Sequence, residues 1–153
     1  MHPEQPLLHD WFAEAFARYL TIRPAGLQMP HGALVNPLRV RLRTCRPART
    51  LYEKQQPRCR SLDGLQSITE ARACASCLHR KTCTPQIYLE VLHDGVPYRL
   101  LLAYSSARNF MFFVSRLRQH GQPVENAEVI LAVSDRGRWG ELRFSMPPPP
   151  PPA

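Results

Sequence analysis

The spacing of apolar residues changes several times along this chain, and each change predicts a new element. Leu8, Trp11, Phe12, Ala15, Phe16 and Tyr19 recur at three- and four-residue intervals, while Asp10, Glu14 and Arg18 fall on the other side. The pattern predicts an amphipathic helix over residues 7–20, entered at Pro6 and stopped by Pro24 and Gly26. Its expected role is to cover one end of a sheet. From Pro37 the period becomes two. Leu38, Val40 and Leu42 alternate with Arg39, Arg41 and Arg43, the mark of a half-buried strand with one arginine face. Pro47 is expected to interrupt this strand, and residues 50–52 to resume it.

Residues 86–93 and 97–104 alternate around Asp94-Gly95, which predicts a hairpin. Tyr88 is out of step with Ile87, Leu89 and Val91, so its ring faces away from their side. Tyr98 and Tyr104 share parity with Leu100 and Leu102 and read as core. Ser105 or Ser106 is expected to cap a helix that ends at Gly121. Its inner stripe is Phe110, Phe113, Val114 and Leu117, with Phe112 off that stripe. Residues 127–133 read as an apolar strand buried on both faces. A turn at 135–137 leads into a last strand at 138–145, where Trp139 precedes Gly140. The prolines from Pro147 to Pro152 form an extended, low-complexity tail.

After the first helix the order is strand, insertion, strand, strand, helix, strand, strand. That is the order of a five-stranded OB-fold barrel. The expected fold is therefore a β-rich α+β domain over residues 1–146. It has an N-terminal helix, an OB-like barrel, one helix between strands 3 and 4, and a cysteine-rich insertion at 58–84 after strand 1. The first strand, 35–52, is long enough to bend. A split sheet with helices on one side is the competing arrangement.

Length and composition agree with one globular core: 153 residues, 44% apolar. No window holds the run of apolar residues a membrane helix needs. The first residues carry acids and no basic flank, so they do not read as a signal peptide, and a reducing cytoplasm is expected. Charge narrows the partners. The chain has 20 Lys and Arg against 12 acids, a formal charge of +8, which favours polyanions. Only Lys54 and Lys81 are lysines. An arginine bias of this kind also arises from a GC-rich genome without any function.

Four of the five cysteines lie between residues 59 and 83. Cys59, Cys74, Cys77 and Cys83 have the spacing C-x14-C-x2-C-x5-C. A C-x2-C pair brings two sulfurs to one ion, and four thiolates suit a closed structural zinc site. Asp63-Gly64 supplies a turn after the first ligand, and residues 67–70 read as a capping box. An iron–sulfur cluster, or no metal, remain alternatives. His79 and Cys45 are spare donors. The parity of Cys45 places it on the arginine face, and packing is its default role. No cysteine has a nucleophile's partners. The chain has no phosphate-cradling glycine loop, and four thiolates leave no open position for water. A reaction of its own is therefore not expected.

The segments CRSLDG (59–64) and CASC (74–77), followed by Cys83, resemble cysteine-rich parts of phage- and plasmid-type proteins. Those are similar to single-stranded DNA-binding proteins with an OB-fold and a zinc-binding insertion. The resemblance implies zinc on Cys59, Cys74, Cys77 and Cys83, and nucleic-acid binding by the barrel face. It covers about 25 residues and rests on strand order elsewhere. The proline ending departs from the acidic tail of many such proteins. Binding of this type needs basic side chains for phosphates and aromatic faces for bases. Arg39, Arg41, Arg43 and Arg138 are the candidate cations. Tyr88, Phe112 and Trp139 are the candidate platforms. Two other readings stand beside it. One is a protein-interaction adaptor using the insertion and the proline tail, and the other is an iron–sulfur protein of nucleic-acid processing.

Overall fold

The structure, a computed structural model, describes residues 18–63, 65, 67, 73–77, 81–149 and 151–152. The chain is β-rich, with one α-helix and open antiparallel sheets among these residues. Three short strands, β1 (Thr21–Arg23), β2 (Gly26–Gln28) and β3 (Leu34–Val35), form a small sheet. The larger sheet contains β4 (Leu38–Glu53), β5 (Gln56–Ser61), β6 (Thr84–His93), β7 (Val96–Ala103), β8 (Glu128–Asp135) and β9 (Gly140–Ser145). Helix α1 (Tyr104–Gln119) lies between β7 and β8 in the chain. The strand path is β7-β6-β4-β8-β9, with β5 also paired to β4.

Strand β4 organises this sheet. Leu38, Val40 and Leu42 are buried while Arg39, Arg41 and Arg43 are exposed, as the alternation predicts. The expected break at Pro47 is not there, because Pro47 lies within β4 opposite Ile87. Along residues 43–48 the edge of β4 away from β6 pairs with neither β8 nor β5. A residue without an N–H is tolerated on such an edge. The register slips between Leu42 and Thr44, and this bulge changes which side chains face inward. It places Cys45 opposite Leu89, on the core side of the sheet, and not on the arginine face. Cys45 stays exposed there, lining a hollow with Leu42, Val124 and Glu125.

The core joins both halves of the path through one side of the sheet and one stripe of α1. Phe110, Phe113, Val114 and Leu117 pack with Leu89, Val91, Leu100, Leu102, Val129, Leu131, Leu142 and Phe144. Phe110 and Phe113 also meet the Phe144 ring, at centroid distances of 5.3 and 6.1 Å. Truncating either helix phenylalanine to alanine is expected to cost roughly 3–5 kcal/mol. The helix ends as the glycine predicts: Gln122 N–H bonds the Leu117 carbonyl and Gly121 N–H that of Arg118, with Gly121 at φ +67°. Its start differs. Ala103 is the N-cap, without a side-chain cap, and both serines lie inside the helix. Ser106 Oγ instead accepts a hydrogen bond from Leu142 N–H at 3.0 Å, tying α1 to β9. Strand β8 is buried on one face and half-buried on the other, not buried on both.

The two ends of the path, β7 and β9, do not pair among the described residues, so the expected barrel closure is not formed. A strap from the N-terminal side lies along that seam. Tyr19 bridges Arg99 in parallel, Leu20 N–H bonds the Arg99 carbonyl and Arg99 N–H bonds the Arg18 carbonyl. Residues 18–20 are therefore not helical, and the rest of the expected helix over 7–20 lies outside the described residues. The strap then meets β9. A Cβ on Gly140 would strike the Arg23 carbonyl oxygen, so glycine permits the approach. The Asn36 side chain adds one rung beside β8, donating to the Val133 carbonyl and accepting from Val133 N–H, both at 3.0 Å. No helix among the described residues is long and apolar enough to cross a membrane.

Candidate nucleic-acid interface and cysteine cluster

Strand β4 presents its three arginines outward, but each already meets an acid. Arg39 and Arg41 both reach Glu128, at 2.7 and 2.9 Å, and Arg43 reaches Glu90 at 3.3 Å. Strand pairing explains the first set, since Arg41 lies directly opposite Glu128. The hydrogen bond and charge of Arg39, helped by Arg41, hold the Glu128 carboxyl below the usual carboxylate range. The row is exposed yet internally neutralised in part.

Tyr88 does point away from Leu89 and Val91, as its parity requires, but it is only 2% exposed. The Arg46 guanidinium sits over its ring at 5.2 Å, and Arg46 is its partner across the β4–β6 ladder. Burial raises the Tyr88 phenol above its ordinary value, while Arg99 and Arg46 pull it down and Glu90 raises it. Burial, and then the Tyr88 charge, likewise raise the Tyr19 phenol above its ordinary value. Buried Thr50 and Gln86 continue the layer through a hydrogen bond, and Gln86 Nε2 donates to the Tyr52 hydroxyl at 3.3 Å. Tyr88 is thus part of a covered polar layer, and as it stands its ring offers no face to a base.

Trp139 and Arg138 are exposed at the turn between β8 and β9. The turn is tightly bonded. Gly137 N–H donates to Asp135 Oδ1 at 2.7 Å, Arg136 N–H to the Trp139 carbonyl at 3.0 Å, and Arg136 Nε to Glu141 Oε2 at 2.8 Å. Asn109 on α1 donates to the other Glu141 oxygen at 2.8 Å. That bond, then the one from Arg136, holds the Glu141 carboxyl below its usual range. Tyr104 lies on the same seam. It was expected in the core, yet it is 78% exposed, because β7 ends at Ala103 and the Tyr104 backbone turns to φ +51° as α1 begins. Strand parity does not carry across that turn. The serines that follow it were the signal that the strand was ending.

Phe112 is 61% exposed, as its position off the helix stripe predicts. It lines a different hollow, between α1 and β8–β9, together with Asn109, Arg116, Ala132 and Arg143. The candidate contacts therefore fall in separate places: the β4 row, the seam, the hollow beside α1, and, for Tyr88, a buried layer.

The end of β4 lies beside Cys59 and Cys83. A tight turn at Lys54 and Gln55, both at positive φ, folds β5 back so that Cys59 pairs with Leu51. On the other side Thr84 pairs with Thr50, which leaves Cys83, the preceding residue, next to the same stretch. Cys74 opens a short 3-10 turn that Cys77 closes, and Cys74 N–H bonds the Leu65 carbonyl at 2.7 Å. All four thiols are half-buried and free of disulfides. Cys59 Sγ lies 3.0 Å from the buried Ser67 hydroxyl. Burial raises the Cys83 thiol, and the thiols of Cys77, Cys59 and Cys74 each raise it further, against the pull of Arg49. Cys83 thus feels the charge of all three others. Among the described residues no three His, Cys, Asp or Glu side chains form a ready-made ion cage. His79 lies outside the described residues.

No family model matches this chain, and neither the curated proteins nor the solved structures yield a match.

Proposed function

We propose that this protein binds single-stranded nucleic acid, with DNA as the proposed form and little sequence preference, on an OB-type sheet braced by a structural zinc. The observation that carries this reading is the strand path. Taking β4, β6, β7, β8 and β9 as strands one to five, the first lies between the second and fourth. The third and fifth lie at the two ends, and the helix follows the third. An OB barrel has this order once its third and fifth strands meet. A formal charge of +8 and exposed arginines on β4 and beside Trp139 give a polyanion its counter-charge.

The donor set fits zinc. Cys59 and Cys83 flank the end of β4, Cys74 and Cys77 bound a short 3-10 turn, and four cysteine sulfurs are the donor type that a closed structural zinc site uses. Cys59, Cys74, Cys77 and Cys83 would hold the ion, which would supply structural bracing and no open coordination position. The proposal assigns the protein no reaction of its own. The deciding experiment is a titration with short single-stranded oligonucleotides at several salt concentrations, alongside metal analysis of protein purified without added metal. Salt-sensitive binding and one zinc per chain support the proposal, whereas a brown preparation containing iron favours a cluster. One observation favours the rival adaptor reading: the three β4 arginines already pair with the chain's own acids. A protein that stays off oligonucleotides at low salt would be read that way, with the insertion and proline tail as docking elements.

A further inference from the structure

Tyr104 and Trp139 come from opposite ends of the strand path and share one cavity. It has a volume of about 520 Å³, and its other walls include Ile22, Leu101 and Ala103. Its lining is mainly apolar, and both rings are open to solvent, with Trp139 49% exposed. We infer that this cavity is a stacking subsite for one unpaired base of a single-stranded polynucleotide. The inference rests on the proposed single-strand reading and specifies where a base sits.

The backbone behind the two rings is tied down. Tyr104 adopts a positive φ that bulky residues take only when their surroundings impose it, a type of outlier that clusters at ligand sites. Ser106 Oγ fixes the helix start to Leu142 N–H, and the Arg136–Glu141–Asn109 chain fixes the Trp139 turn to the helix. The strap closes the floor with Ile22, held at Gly140 by the close approach of Arg23. Two exposed aromatic rings on a tied-down backbone offer faces on which a planar base stacks. The surroundings select a polyanion. Arg138 adjoins Trp139, Arg108 lies one helical turn from Tyr104, and Arg23 adjoins Ile22, all three exposed. The nearby acids are engaged: Glu141 by Arg136 and Asn109, and Asp135 by Gly137 N–H. An apolar slot whose lining residues adjoin exposed arginines in the chain suits a base with its flanking phosphates better than a neutral proline segment.

The chain has two tryptophans, so a Trp11→Phe variant leaves Trp139 as the sole indole reporter. Titrating that variant with oligo-dT should quench its fluorescence in step with binding measured independently. Tyr104→Ala and Trp139→Ala should each weaken binding by about tenfold or more. Trp139→Phe, which keeps a ring, should restore most of the loss and so exclude misfolding as its cause. If oligo-dT binds with Trp139 fluorescence and both alanine variants unchanged, the subsite is wrong while the single-strand reading survives. If the wild-type protein ignores oligo-dT at low salt, both fall. Quenching that needs no DNA and disappears on truncation before Pro147 would assign the cavity to the proline tail and overturn the inference.

Discussion

The arginine row on β4 and the seam between β7 and β9 are both exposed and both basic, yet they are built in opposite ways. On β4 the cations stand in a regular line, and Glu128 and Glu90 neutralise them in part. At the seam the rings of Tyr104 and Trp139 are exposed, and the acids nearby are tied to other groups. A row of this kind attracts phosphate over a distance, and only after giving up its own acids. An aromatic slot adds short-range affinity that salt affects little. Exposure alone therefore does not rank the surfaces; what each exposed group is already bonded to does.

The largest expected effect lies outside both surfaces and tests whether they are independent of the insertion. Cys77→Ser should remove the zinc and lower Tm by roughly 10 °C, taking a few kcal/mol of lost ligation at about 2–4 °C per kcal/mol. Trp139 fluorescence should be unchanged below the transition. Calorimetry with metal analysis checks this, and an unchanged Tm in a metal-free preparation would remove zinc from the account. The next effect compares the two surfaces directly. Replacing Arg39, Arg41 and Arg43 by alanine should weaken oligonucleotide binding and flatten its salt slope by up to about two units, at roughly 0.7 per phosphate contact. Folding should survive, because all three point away from the core. Glu128→Gln should act in the other direction. By releasing Arg39 and Arg41 it should tighten binding and steepen the slope by up to about 1.4 units on the same scale.

Acid should mimic that variant. The folded Glu128 carboxyl titrates below its unfolded value, so its contribution to stability is complete above the unfolded pKa and is lost as pH falls through the folded one. The β4 row should therefore gain net positive charge only below the usual carboxylate range, which a pH series of the salt slope measures. The smallest effect is expected at Cys45→Ser. Cys45 sits on the far side of the bulge from the arginine row and belongs to a hollow with Val124 and Glu125. Metal content should stay at one per chain, and its loss would show that the ligand set is misassigned.

Much of this architecture is legible in local pattern. The alternation of Leu38, Val40 and Leu42 with arginines gives β4 its two faces, Asp94-Gly95 gives the hairpin, and Gly121 gives the helix end. Each of these depends on residues close in sequence. The misreadings depend on distant ones. Tyr88 is covered by Arg46, which comes to it from another strand, and parity along β6 cannot register that. Cys45 changes side because one bulge shifts the register. Pro47 stays in its strand because the edge beside it lacks a partner there. The small sheet of β1, β2 and β3 has strands too short for a period to show. Of the candidate site, the exposure of the three arginines, Phe112 and Trp139 was readable. Their division among separate surfaces, and the sharing of one cavity by Trp139 and Tyr104, were not, because both depend on how elements distant in sequence are arranged.

Whether this protein holds single strands is decided by equilibrium binding of the full chain to a short oligo-dT across a salt series. The account predicts binding at low salt that weakens linearly in log–log form, with a slope of several times roughly 0.7. It also predicts that a duplex of the same length competes poorly, because its bases are not free to stack. Absence of binding at the lowest salt, or affinity for duplex equal to that for the single strand, would contradict it.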